Sequence, residues 1–228
     1  MGGRKQSVGM EFRTREHFSR ELAASGLEAL AGPLEGAFAM LADCFRRGGK
    51  VLVCGNGGSA ADSEHIVGEL MKEFRMRRPL PEEDQARLSG LWGDEGRRIG
   101  QGLQGALPAI SLVSQVSLCT AMANDAGADL VFAQQVYAYG RPGDVLLGIS
   151  TSGNAANVVA ACRAARAFGL RTLAFTGGDG GRLKEVCELA LQAPASATSE
   201  IQLWHMRCYH LLCAMLELEM FGSPGRLL

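Results

Sequence analysis

Residues 144–154 read DVLLGISTSGN, an apolar run that ends on three consecutive hydroxyls, a glycine and an asparagine. From Asp144 to Ile149 the run is apolar on both faces, which predicts a strand buried on two sides. Ser150, Thr151, Ser152, Gly153 and Asn154 then form a turn, and a helix follows to about Gly169. The same pattern stands upstream, where Val51–Cys54 runs into Gly55, Asn56, Gly57, Gly58 and Ser59 and then another helix. Downstream, Arg171–Phe175 (RTLAF) precedes Thr176, Gly177 and Gly178, while Glu188–Gln192 and Ile110–Val113 read as shorter strands. Strands alternating with helices predict an α/β fold, a three-layer doubly wound parallel sheet. Ligands of such sheets gather outside the carboxyl ends of the strands, where both turns fall.

Outward from this core, Glu16 to Arg47 places apolar residues at helical spacing, so one or two amphipathic helices are expected before Gly48 and Gly49. The last helix, Ser199 to about Phe221, is apolar over much of its circumference and is expected to be buried or packed on another subunit, which implies an oligomer. Residues 77 to about 109 break the rhythm with Pro79, Pro81, an acidic cluster and several glycines. They read as an inserted loop with one or two short helices. At 228 residues, the chain 1–228 is expected to form one domain, with a helical segment at about 16–48 and the insertion at about 77–109.

Composition narrows the function. The chain is 47% hydrophobic and 21% charged, which is globular rather than disordered, and its net charge of −1 offers no basic stripe for nucleic acid. Seven cysteines, odd in number and without a Cys-x-x-Cys pair, read as reduced core thiols. Met1 to Phe12 has basic residues but no apolar run behind them, and nowhere do about 18 consecutive residues stay apolar. A soluble, cytoplasmic protein without membrane or nucleic-acid partners is expected.

Ser150, Thr151 and Ser152 sit where the first N–H groups of a helix lack partners and its dipole favours an anion, so a phosphate is the natural guest. Helix capping by the same residue types is the plainer alternative. Without a Gly-Lys-Ser/Thr ending or a full dinucleotide fingerprint, a phosphomonoester fits better than a nucleotide. Asn56, Gly57, Gly58 and Ser59 supply a second set of donors, although paired glycines also serve tight turns. His65 and Glu69, four residues apart, share a helix face and can hold a divalent metal, place a base beside an imidazole, or form only a surface pair. Gln202 and His210 interrupt the last helix at a separation of about 12 Å and about 80° of rotation, an awkward span for one ligand. His205 reads as a packed core histidine behind the site. Asn124 and Asp125 read as a turn, or as hydroxyl ligands for a sugar.

Taken together, CGNGGSAADSEH, GDVLLGISTSGNAANV, TGGDGG and EIQLWHMRCYH resemble the sugar isomerase (SIS) domain from about residue 20 to residue 221, apart from the insertion. Within it the chain is most similar to the bacterial phosphoheptose isomerases, which interconvert sedoheptulose 7-phosphate and D-glycero-D-manno-heptose 7-phosphate for lipopolysaccharide precursors. The resemblance implies a flavodoxin-like sheet and a homotetramer with active sites shared between subunits. It implies substrate binding by Asn56, Gly57, Gly58, Ser59, Asn124, Asp125 and Gln202, with phosphate on Ser150, Thr151 and Ser152. It also implies zinc on His65, Glu69, Gln202 and His210, with Glu69 and His210 as the acid/base pair. That pair suits an enediol mechanism, which needs a base near two carbons and a proton donor near the carbonyl oxygens. Ala155 departs from a serine frequent in relatives, and Ala197–Glu200 (ATSE) from an acidic-basic pair. A non-catalytic SIS regulator that binds a phosphosugar or a replication initiator is the rival from another class, and an isomerase of other specificity the third reading.

Overall fold

The computed structural model describes residues 12–222. The expectation for the first eleven residues, that they form neither signal nor anchor, lies outside them. Helix α1 (Phe12–Ser25), a 3-10 turn (Glu28–Leu30) and α2 (Ala31–Arg46) precede β1 (Val51–Gly55) and α3 (Gly58–Met71). Next come α4 (Glu82–Gly102), β2 (Ala109–Ser111), α5 (Val116–Asp125), α6 (Val131–Tyr139) and β3 (Val145–Ile149). The chain continues through α7 (Ala156–Ala167), β4 (Arg171–Gly177), α8 (Gly181–Val186), β5 (Leu189–Ala193) and α9 (Thr198–Phe221).

The five strands are all parallel in the order β2-β1-β3-β4-β5, the flavodoxin-like winding. Every residue of β1 and β3 is buried, as their unbroken apolar runs require. The alternation of side chains splits them between two cores. Val51, Val53, Val145, Leu147 and Ile149 meet residues of α1, α2 and α9, while Leu52, Cys54 and Leu146 meet residues of α6 and α7. A Cβ on Gly148 would stand 2.8 Å from Val158 and 2.9 Å from the Cys162 sulfur, so α7 lies close on the sheet because this strand position is bare. Register sets Gly55 beside Ile149 and Ile149 beside Phe175. The turns that leave β1, β3 and β4 therefore emerge side by side.

The expected strands and the two flanking helical regions are present, the strand boundaries shifted by one or two residues and the first helix beginning four residues before Glu16. The last helix is buried largely by its own chain, Ile201, His205, Cys208, Tyr209 and Leu211–Glu217 facing inward while Leu203 and Met206 stay exposed. The span 82–102 is a helical hairpin broken at Gly93 (φ 57°, ψ −129°), a left-handed conformation that glycine adopts at no steric cost. It buries only Gly96 and Gly100. Its neck is closed by an antiparallel bridge between Pro79 and Gln104. Two short helices, α6 and α8, have no counterpart in the sequence reading, because six to nine residues are too few turns for a periodic signal. Asn124 and Asp125 fall in the last turn of α5 rather than in a following loop. Among the described residues no helix is long and apolar enough to cross a membrane.

Candidate active site

The hydroxyl turn is built by backbone. Ser150 N–H donates to Phe175 O (3.0 Å), Gly177 N–H to Thr151 O (3.0 Å) and Leu183 N–H to Gly153 O (3.0 Å), so the turn is pinned to the neighbouring Thr176–Gly181 turn. Gly153 takes φ 65°, and a Cβ there would lie 2.0 Å from the Gly180 carbonyl, so only glycine allows the two turns to stack. Ser150 and Ser152 hydroxyls stand 3.5 Å apart, and Ser152 also accepts from Asn154 N–H at 3.2 Å. Ser152 thus closes a local turn without capping α7, whose N-cap is Ala155 and takes no side-chain bond. Across the sheet edge, Asn56 and Asn157 exchange amide hydrogen bonds of 2.8 and 2.9 Å and tie the glycine turn to the start of α7. Gly57 holds φ 57°. Ser59 is buried under Gly55. A Cβ on Gly58 would sit 2.1 Å from the Gln202 amide nitrogen, which fixes Gln202 against the first turn of α3.

About 10 Å further along α3, the second cluster forms. His65 Nε2 stands 3.1 Å from Glu69 Oε1 and 3.5 Å from His210 Nε2. His65 and His210 meet edge-on with ring centroids 5.1 Å apart, and Phe74 lies 5.6 Å from the His210 ring. Burial, and then the neighbouring His65, lower the pKa of His210 below the ordinary imidazole value, with Glu69 opposing. His210 and Glu69 thus flank one imidazole. Gln202 and His210 resolve their awkward separation by marking two ends of the α3–α9 seam, one at Gly58 and one at His65. Asn124 and Asp125 are joined to each other (2.8 Å), and among the described residues neither is hydrogen-bonded to the other candidates. His205 is buried, with Nε2 3.0 Å from the Thr176 carbonyl, as its packed reading requires. Beside the serine turn, an open depression of about 660 Å³ is lined by Asn154, Asp179, Gly181, Arg182, Lys184 and Glu185. It includes neither Glu69 nor His210.

Among the described residues no three His, Cys, Asp or Glu side chains form a ready metal-holding group. The pairs nevertheless fit zinc in donor type, and their separations of 3.1 and 3.5 Å bracket the distance of about 3.3 Å between neighbouring ligands of a tetrahedral zinc ion.

The model of the SIS domain matches residues 16–86 and 104–177. The chain belongs to the SIS domain family. The SIS match passes over residues 87–103, all but the last of which lie within the α4 hairpin. Among its relatives is the phosphoheptose isomerase of Akkermansia muciniphila, 38% identical over 197 residues, or 86% of this chain and 90% of the relative. That of Roseiflexus sp. is 43% identical over 179 residues, 78% of each. Among solved structures, phosphoheptose isomerase from Neisseria gonorrhoeae matches with a TM-score of 0.67 at 34% identity, covering 90% of this chain and 97% of that one. These relatives place the chain among the sugar-phosphate isomerases of the SIS family.

The SIS scaffold also carries residues the sequence reading passed over. Glu217 accepts from the N–H groups of Phe74 (2.8 Å), Arg75 (2.7 Å) and Met76 (3.1 Å) and from Arg78 Nε (2.6 Å). Arg78 in turn donates to the Leu70 carbonyl (2.9 Å) and the Glu69 carbonyl (3.2 Å). One buried ion pair therefore caps the end of α3 that bears Glu69, holds Phe74 at His210, and ties both to α9. A charged residue inside an apolar helix, Glu217 between Leu216 and Leu218, was the available signal, since such groups are buried only when paired.

Proposed function

We propose that the chain interconverts sedoheptulose 7-phosphate and D-glycero-D-manno-heptose 7-phosphate through an enediol. The observation that carries this reading is the convergence of Glu69 and His210 on His65, from helices far apart in sequence, on the flank of a sheet whose strand ends bear a hydroxyl-rich turn. Ser150, Thr151 and Ser152 hold the phosphate, and that remote binding energy positions the reacting carbons. Glu69 takes the proton from C1 or C2 and returns it to the other carbon. His210, whose pKa burial lowers, passes protons to and from the oxygens on C1 and C2. His65, Glu69 and His210 would hold zinc, which would supply polarisation of those same oxygens, while Gln202, at Gly58 at the other end of the seam, stands apart from them. Gln202 binds the sugar, as do Asn56, Gly57, Gly58, Ser59, Asn124 and Asp125. A cytoplasmic homotetramer with shared sites is part of the proposal. It accords with α5, which carries Asn124 and Asp125 and buries none of its own residues, and with the exposed Leu203 and Met206 of α9.

Solvent deuterium exchange tests the reaction. Purified protein with sedoheptulose 7-phosphate should wash label into C1 or C2, and Glu69→Gln should lower that rate by about 10²–10⁴-fold while the sugar still binds. Wild-type protein that binds the sugar but never exchanges those protons would instead be a non-catalytic phosphosugar-binding regulator.

A further inference from the structure

Asp62, His65 and Glu69 follow one another on α3 at intervals of three and four residues, so their side chains share a face. Tyr209 of α9 lies against that face. Its hydroxyl is 3.3 Å from Asp62 Oδ1 and 3.0 Å from His65 Nδ1, and the two rings meet edge-on at 5.3 Å. Tyr209 is 2% exposed. The other carboxylate oxygen of Asp62 is buried without a hydrogen-bond partner.

Counting donors decides where the protons sit. An ionised carboxylate only accepts, so the phenol proton belongs to Asp62 and the phenol oxygen is left to accept. The partner at 3.0 Å is His65 Nδ1, which must then carry a proton. In a neutral imidazole that leaves Nε2 bare, facing Glu69 Oε1 at 3.1 Å and His210 Nε2 at 3.5 Å. The opposite tautomer would give Nε2–H to Glu69 and draw the phenol proton to Nδ1, leaving both oxygens of the half-buried Asp62 without a donor, a costly arrangement. We propose that Tyr209, held by Asp62, is a positioning residue that fixes His65 as its Nδ1–H tautomer and aims the Nε2 lone pair into the Glu69–His210 corner as a ligand for a divalent cation. The tautomer stands on geometry alone; its use in catalysis rests on the isomerase reading above.

The experiment is a long-range proton–nitrogen NMR correlation on full-length, chelator-dialysed protein carrying ¹⁵N-histidine, with His65→Gln assigning the His65 signals. Wild type should show the proton on Nδ1. Tyr209→Phe should shift His65 toward the Nε2–H form, and Asp62→Asn should reverse the tautomer, because the new amide donates to the phenol and sends its proton to Nδ1. A wild-type His65 protonated on Nε2, or two folded variants that leave its tautomer unchanged, overturns the proposal. A second measurement uses zinc ion alone, in competition with a chromophoric chelator. Each variant should bind zinc about 10–100-fold more weakly than wild type, with a cooperative melt showing that it is folded. Unchanged zinc affinity, or none in wild type, overturns the ligand role. Should the tautomers behave as expected while wild type fails the deuterium exchange, the isomerase reading falls and the positioning of His65 stands.

Discussion

A single buried imidazole shows how residue chemistry reaches stability. His205 gives its Nε2–H to the Thr176 carbonyl, while Nδ1 is buried without a partner. Burial lowers its pKa, only partly offset by the bond to Thr176. In the folded state it therefore resists protonation, whereas in the unfolded chain it titrates near 6.5. Its contribution to stability is full above pH 6.5 and is lost as the pH falls from there toward the lowered folded value. The slope is at most about 1.4 kcal/mol per pH unit. His205→Gln, which keeps an amide donor for Thr176 and does not titrate, should flatten this part of the curve. Urea unfolding of both proteins between pH 7 and pH 5 reads the difference. The histidine's packed character was legible in the sequence from its apolar neighbours; its bond to the end of β4 was not, because that partner lies 29 residues away.

Between elements, the α3–α9 seam depends on Arg78 and Glu217. Both side chains are essentially inaccessible, at 0% and 1%. Such a pair gains little over an apolar replacement of both, but removing one partner leaves a buried charge uncompensated. Arg78→Met should cost about 3–5 kcal/mol in urea unfolding and lower turnover, because the Glu69 and Leu70 carbonyls lose their donors. Glu217→Gln should cost as much, about 3–5 kcal/mol, because it leaves the guanidinium unpaired and its one amide oxygen replaces only one of two carboxylate oxygens, of which one serves Phe74 N–H and Arg78 Nε and the other Arg75 and Met76 N–H. A loss confined to Arg78→Met would show that the guanidinium's packing and its bonds to the α3 carbonyls, rather than the ion pair, hold the seam. The apolar periodicity of α9 was plain in the sequence. Which of its faces meets α3, and in what register, follows from where Gly58 leaves room for Gln202 and where Glu217 finds four donors.

At the scale of the molecule, the α4 hairpin is an appendage. It packs on itself through Gly96 and Gly100 and joins the body at a neck that Pro79 and Gln104 close, with the Gln104 side chain accepting from Glu73 N–H at 2.8 Å. Replacing residues 82–102 by a short Gly-Ser loop should leave the sheet intact and change unfolding stability by no more than about 1 kcal/mol. Circular dichroism should lose only the helicity of the hairpin itself; collapse of the cooperative transition would show that the body depends on it. The sequence by itself determined the strands, their parallel winding and the two turns, because apolar runs and turn residues encode neighbours along the chain. It also marked His65, Glu69, Ser150–Ser152, Gln202 and His210 through motif. Only the tertiary structure decided that His210 and Glu69 meet at His65, that Asn157 locks onto Asn56, and that Tyr209 and Asp62 back the imidazole. Those contacts span 101 to 147 positions, and no local periodicity carries the register of two helices packed across such a distance.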